Sequence, residues 1–236
     1  MEFFSLYREL KKYGLEIFTL DDVIKITGQK REVVKSTLSR LVKQNKLFRL
    51  KNRYYSTKEI ENKFLFQKLF KETYIGLHAA LEFHGSTTQR FNNLDLISKN
   101  VLNDQKIENT QITFHKVKSD LFFGYEKHKV SKTDVFVSNI EKTIIDCTYF
   151  SAKVYLSEIS SFIDANAEEI DTKKLSIYLQ KINSAVLNKR LGYLLERMGI
   201  SLGDIEINNK YDRLNIHLGE TGTRDRKWKL IINEAL

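Results

Sequence analysis

Apolar positions recur at helical spacing between Lys30 and Gln44: Val34, Leu38 and Leu41 form one stripe, with Val42 beside it. That period predicts a helix packed along one face. The opposite face carries Arg31, Lys35 and Ser39 on one row and Ser36, Arg40 and Lys43 on the next. Upstream, Phe3, Leu6, Tyr7 and Leu10 give a helix over 2–13 that Gly14 ends. Thr19-x-x-Asp22 is a capping pattern for a short helix, Leu20 to Thr27, with Leu20, Val23, Ile24 and Ile26 inward and Gly28-Gln29 as the following turn. Downstream, Leu47-Phe48-Arg49-Leu50 and Arg53-Tyr54-Tyr55 alternate as short strands around a turn at Lys51-Asn52.

Helix, turn, helix and basic-tipped hairpin, in that order, predict a winged helix-turn-helix. Its second helix is suited to a major groove: Arg forks onto guanine edges, Lys supplies a point charge for phosphate, and Ser bonds to either. Arg31, Lys35, Ser36, Ser39 and Arg40 are the expected base readers. Lys30, Lys43, Arg49, Lys51 and Arg53 are the expected phosphate contacts that position the helix. The competing reading of this face is a solvated surface with no partner.

Near residue 58 the basic composition ends and a second domain, 59–236, is expected to begin without a flexible linker. Thr73 to Gly85 reads as a helix with a glycine stop. Strand-like runs at Leu94–Ser98, Gln111–Val117 and Val135–Ser138 predict a small sheet. Helical patterns follow over Ile140–Phe150, Val154–Asn166 and Thr172–Met198. The tail reverts to strand at Leu214–Leu218 and Lys227–Ile232, around a turn region from Gly219 to Gly222, with Trp228, Leu230 and Ile232 facing inward. Arg224, Arg226, Lys227 and Lys229 form a secondary basic patch there, which a charged edge strand explains equally well. The predicted class is α+β: a winged helix-turn-helix at 1–58, then a mixed α/β domain with a small sheet and a helical half.

Charge sharpens this division. Residues 1–58 hold 14 Lys and Arg against 6 Asp and Glu, whereas the other 178 residues hold 25 against 24. Nearly all of the net charge of +9 therefore lies in the part read as DNA-binding, where counterion release needs it. The chain has no proline, where average usage of about 5% would place roughly a dozen. With Lys, Asn, Ile, Phe and Tyr plentiful, this points to an A+T-rich genome.

No apolar run approaches the roughly 18 residues that span a bilayer. The first residues lack a secretory pattern, and the expected location is the cytoplasm. The single cysteine, Cys147, excludes an internal disulfide and a cysteine-cluster metal site, and is expected to be a buried small hydrophobe.

Enzyme signatures are missing: there is no Gly-rich phosphate loop with Lys, no His-Glu-x-x-His and no Gly-x-Ser-x-Gly. His78 and His84 stand six apart, a spacing that does not share a helical face, and no metal site is assigned to them. Whether Asp120, Glu126, Glu141 and Asp146 converge is open in the sequence. No catalytic residue and no cofactor is expected.

Lys118-Ser119-Asp120-Leu121-Phe122-Phe123-Gly124-Tyr125-Glu126, then Val135 to Asn139 and Glu141-Lys142-Thr143-Ile144-Ile145-Asp146, resemble the AbiEi family of winged-helix antitoxins and regulators of type IV toxin–antitoxin systems. Thr143 stands where the family has alanine, and Ile140 where it has proline. Arg190-Leu191-Gly192-Tyr193-Leu194-Leu195-Glu196 and Asp225-Arg226-Lys227-Trp228-Lys229-Leu230-Ile231-Ile232-Asn233 are two further matches in the same order. The resemblance implies a repressor of its own operon that binds inverted repeats in duplex DNA. It also implies an antitoxin against a neighbouring nucleotidyltransferase-like toxin, acting without a stable complex with it. The DNA-reading helix would fall on Lys30 to Lys43 and the wing on Arg49 to Arg53, with antitoxin activity in the second domain. Leu121, Phe122, Phe123, Leu191, Leu194 and Trp228 are expected to serve packing. Inverted repeats let two monomers bind side by side, so a monomer or weak dimer is expected in solution. A protein-interaction adaptor and a metal-dependent nuclease or transferase, its site within 59–236, are the alternatives.

Overall fold

The computed structural model describes residues 2–85, 92–203 and 205–235. It opens with helix α1 (Phe3–Tyr13), which Gly14 ends in the left-handed region. Strand β1 (Ile17–Thr19) leads into α2 (Leu20–Thr27), started by a complete capping box between Thr19 and Asp22. Gly28 turns the chain into α3 (Arg31–Lys43), and β2 (Phe48–Lys51) and β3 (Tyr54–Ser56) form a hairpin. Its turn is Asn52-Arg53, one residue later than the sequence predicts; Lys51 still pairs with Tyr54, and Arg53 takes a positive φ of 72°. The sheet order is β1-β3-β2.

Alternation along β1 divides two cores. Phe18 turns toward the helices, where Leu6, Leu10, Val23, Val34, Leu38, Leu41 and Leu47 are buried with it. Ile17 turns the other way, into a second core containing Leu65, Phe66, Ile75, Leu94, Leu96, Val135 and Val137. Leu50 and Tyr54 also pack on that second core. Residues 3–56 thus enclose a core of their own while their sheet is docked against the rest.

A 3-10 segment (Lys63–Leu69) precedes β4 (Thr73–Ile75) and α4 (Leu77–Phe83). The sequence reading of Thr73–Gly85 as one helix is corrected here. Thr73, Tyr74 and Ile75 are β-branched or aromatic and lie fully inside a sheet, and α4 starts only after Gly76. Then come β5 (Asn93–Ser98), β6 (Gln105–Ile107), β7 (Thr110–Lys116), β8 (Tyr125–Val130) and β9 (Thr133–Ser138). With β4 they form a mixed six-stranded sheet in the order β6-β7-β5-β4-β9-β8. The helical half is α5 (Ile140–Tyr149), α6 (Leu156–Ala165), α7 (Thr172–Ile182) and α8 (Ala185–Arg197). Thr172–Met198, read as continuous, is two helices: Asn183 is left-handed at φ 51° and ends α7, and Ser184 caps α8.

The tail also differs from expectation. Its strands are β10 (Asp212–Arg213), β11 (Thr223–Asp225) and β12 (Leu230–Ile232), in the order β10-β12-β11. Leu214–Leu218 lies outside them, and Trp228 sits in the turn between β11 and β12. Side-chain demands override strand propensity at both places. Asn215 is tied to Asn233 and Glu234, and Trp228 points its indole N–H at Glu196 Oε2, 2.5 Å away.

Candidate nucleic-acid interface

Between α3 and the β2–β3 hairpin runs an open groove of about 660 Å³. Arg31 and Lys35 line it from the helix, Arg49, Asn52 and Arg53 from the hairpin, and Lys71 from the connection before β4. Asp21 is the one carboxylate among its lining residues, against five cations. That carboxylate is already engaged, since Arg31 donates to Asp21 Oδ1 at 2.7 Å. Arg49 donates to Asn52 Oδ1 at 3.0 Å across the hairpin turn, which holds its guanidinium at the tip.

The ten expected contact residues therefore fall into three sets. Arg31, Lys35, Arg49 and Arg53 share the groove. Lys30, Ser36, Ser39, Arg40 and Lys43 lie outside it but are exposed on or beside α3. Ser36 spends its hydroxyl proton on Val33 O at 3.0 Å. Lys51 stands apart from both sets: it is half-buried, its ammonium 3.7 Å from the centre of the Phe70 ring, and burial lowers its pKa. It fastens the hairpin to the second core rather than facing the groove. Lys71 was missed in the sequence because only the docking of the two parts brings it beside the hairpin.

Lys30 and Arg31 stand at the start of α3, where the helix dipole disfavours cations. No side chain caps that end, so its free N–H groups and the two cations favour an incoming anion, with Glu32 in the same turn as the opposing charge.

In the second part, aromatic side chains of β4, β8, α7 and the turn before β8 meet. Tyr74 stacks on Tyr125 at 4.9 Å and packs on Phe122, while Phe123 packs on Tyr178. Beneath them Lys142 is bonded to Asp146 and to Tyr74 Oη. Glu126 and Glu141 both reach Lys174, at 3.3 and 3.0 Å. A hydrogen bond from Asn139 holds Glu126 below its ordinary pKa. Asp146 lies apart in the interior and Asp120 is exposed, so the four carboxylates do not share one site. Leu121, Leu191, Leu194 and Trp228 are buried, and Phe122 and Phe123 half-buried.

Asp95 accepts from buried His115 at 2.8 Å and lies 3.6 Å from His78, which in turn faces Glu158 at 3.4 Å. Burial alone would raise Asp95, but the hydrogen bond from His115 and the closeness of His78 outweigh it and hold the carboxyl at about 2. His84 instead meets the backbone oxygen of Ser138. Among the described residues no group of three or more His, Cys, Asp or Glu side chains is placed to hold a metal ion. Among them, too, no helix is long and apolar enough to cross a membrane. Cys147 is fully buried, and burial pushes its thiol up.

The fold is a mixed α+β arrangement of several sheets and helices. No family model matches the chain, and no curated protein matches it. Among solved structures, the crystal structure of RV2827C protein from Mycobacterium tuberculosis is similar, with a TM-score of 0.64 over 97% of this chain and 90% of that one. Sequence identity is 9%, so the likeness is one of fold.

Proposed function

We propose that the protein is a sequence-specific duplex-DNA-binding repressor whose residues 3–56 form a winged helix-turn-helix. The observation that carries the reading is the groove between α3 and the hairpin, with five cations against one paired carboxylate. A duplex whose major groove took α3 would lay a phosphate backbone along that groove. Ser36, Ser39, Arg40 and Lys43, on the exposed side of α3, would then face base edges or the opposite backbone. Arg31 and Lys35, read from sequence as base readers, are better placed for phosphate because both line the groove, and Arg31 shares its charge with Asp21. The local +8 of residues 1–58 supports the same partner.

The AbiEi-like order of motifs extends the proposal to a type IV antitoxin that represses its own operon in the cytoplasm. It would act on a nucleotidyltransferase-like toxin without chemistry of its own. Ile144 and Ile145 of one matched segment share a buried core with Leu191, Leu194 and Trp228 of two others, which supports a common packing role for those motifs in such a domain.

The test is a variant carrying Lys35→Ala and Arg53→Ala, measured by anisotropy on a labelled duplex at several salt concentrations. Removing two phosphate contacts is expected to flatten the slope of log affinity against log salt by about 1.8. The loss should be similar on specific and scrambled duplex. An unchanged slope would take the groove out of the interface.

A further inference from the structure

Lys71 lines the groove but belongs to the second part of the chain, between the 3-10 segment and β4. We propose that the DNA-contacting surface crosses from the N-terminal part onto this connection, and that Lys71 binds a backbone phosphate of the same duplex. The inference rests on the duplex-binding reading above and extends it beyond the helix and hairpin.

Lys71 is exposed and has no side-chain partner among the described residues. The neighbouring carboxylate does not neutralise it: Glu72 is engaged by Lys99 and by Asn100, each at 3.2 Å, and their bonds hold its pKa below the ordinary value. The position of Lys71 relative to the hairpin is also fixed. Phe70, its chain neighbour, carries the Lys51 ammonium at 3.7 Å. Lys68 donates to the backbone oxygen of Ile17 at 3.0 Å, and Leu50 and Tyr54 pack on the core that includes Phe70. These contacts make Lys71 and Arg53 parts of one preorganised wall, so no ordering is required before both engage one strand. An extended polyanion fits this wall better than a single small anion, because the cations are spread along an open groove and exposed rather than gathered in a closed pocket.

The experiment uses the full chain, with anisotropy on a labelled duplex of its upstream region and on scrambled duplex across a salt series. Lys71→Glu is compared with Lys173→Glu, an equal charge change at an exposed position of α7 in the helical half. Lys71→Glu is expected to lose about tenfold in affinity on both duplexes and to flatten the salt slope by about 1. Lys71→Gln should show a smaller loss of the same kind, and Lys173→Glu less than about twofold. Melting temperatures of the variants serve as the folding control. If Lys71→Glu behaves as Lys173→Glu while the Lys35→Ala, Arg53→Ala variant loses affinity, this inference is overturned and the duplex reading stands. If the unmodified chain binds neither duplex, both fall.

Discussion

Lys142→Ala is expected to cost the fold about 3–5 kcal/mol, because it strands a carboxylate in the interior. Lys142 is 1% exposed and Asp146 2%. The ammonium donates to Asp146 and to Tyr74 Oη at 2.9 Å, and that hydroxyl donates to the second carboxylate oxygen at 2.9 Å. Burial already pushes Asp146 above the ordinary carboxyl range despite the lysine; without it only the Tyr74 hydroxyl and His115 oppose the push. The sign of the pH dependence follows. A carboxyl whose folded pKa is raised favours the fold below its unfolded pKa of about 3.9, and that contribution is lost as pH rises toward the folded value. The deficit of the variant should therefore be smaller at pH 5 than at pH 7, as read by urea denaturation at both. Lys142→Met with Asp146→Leu, which removes both charges, should recover much of the loss. Equal deficits at the two pH values, or none, would mean that the pair does not hold α5 to β4.

Gly192→Ala is the second large effect. A Cβ on Gly192 would lie 2.0 and 2.1 Å from ring carbons of Trp228, far inside contact distance, so the indole must move. The indole cannot move freely, since its N–H is bonded to Glu196 and its backbone N–H to Asp225 at 2.6 Å. Overpacking of this kind costs about 1–3 kcal/mol. Trp228 is the chain's single tryptophan, so its emission reports the site directly. A red-shifted emission with a lowered melting temperature is expected; unchanged emission would mean that the tail does not close over α8. The contact also gives Gly192, Glu196 and Trp228 a joint reason: a glycine flat enough for an indole, and a glutamate to receive its N–H.

Local signals made the N-terminal part legible. The Thr19–Asp22 capping box, the left-handed glycines at 14 and 28, and the Val34, Leu38, Leu41 stripe each act within a few residues, and the structure places them as read. Signals that depend on distant partners were not legible. Thr73-Tyr74-Ile75 passes for the start of a helix until its neighbours β5 and β9 are known. β8 is an edge strand whose Glu126, Lys127 and Lys129 hide its alternation. In the groove, Arg31, Lys35, Arg49 and Arg53 came from pattern and charge. The withdrawal of Lys51 to Phe70 and the arrival of Lys71 required the docking of two cores, which no spacing encodes.

In the proposed function α3 and the hairpin read a particular duplex. A mobility-shift titration of the full chain on the DNA immediately upstream of its own gene, against scrambled duplex over a range of salt, tests it most directly. Tight binding to the upstream sequence, at least about a thousandfold over scrambled duplex, is the expected result. Equal, salt-sensitive binding to both would contradict sequence-specific repression and leave a basic DNA-binding surface; binding to neither would contradict the DNA reading altogether.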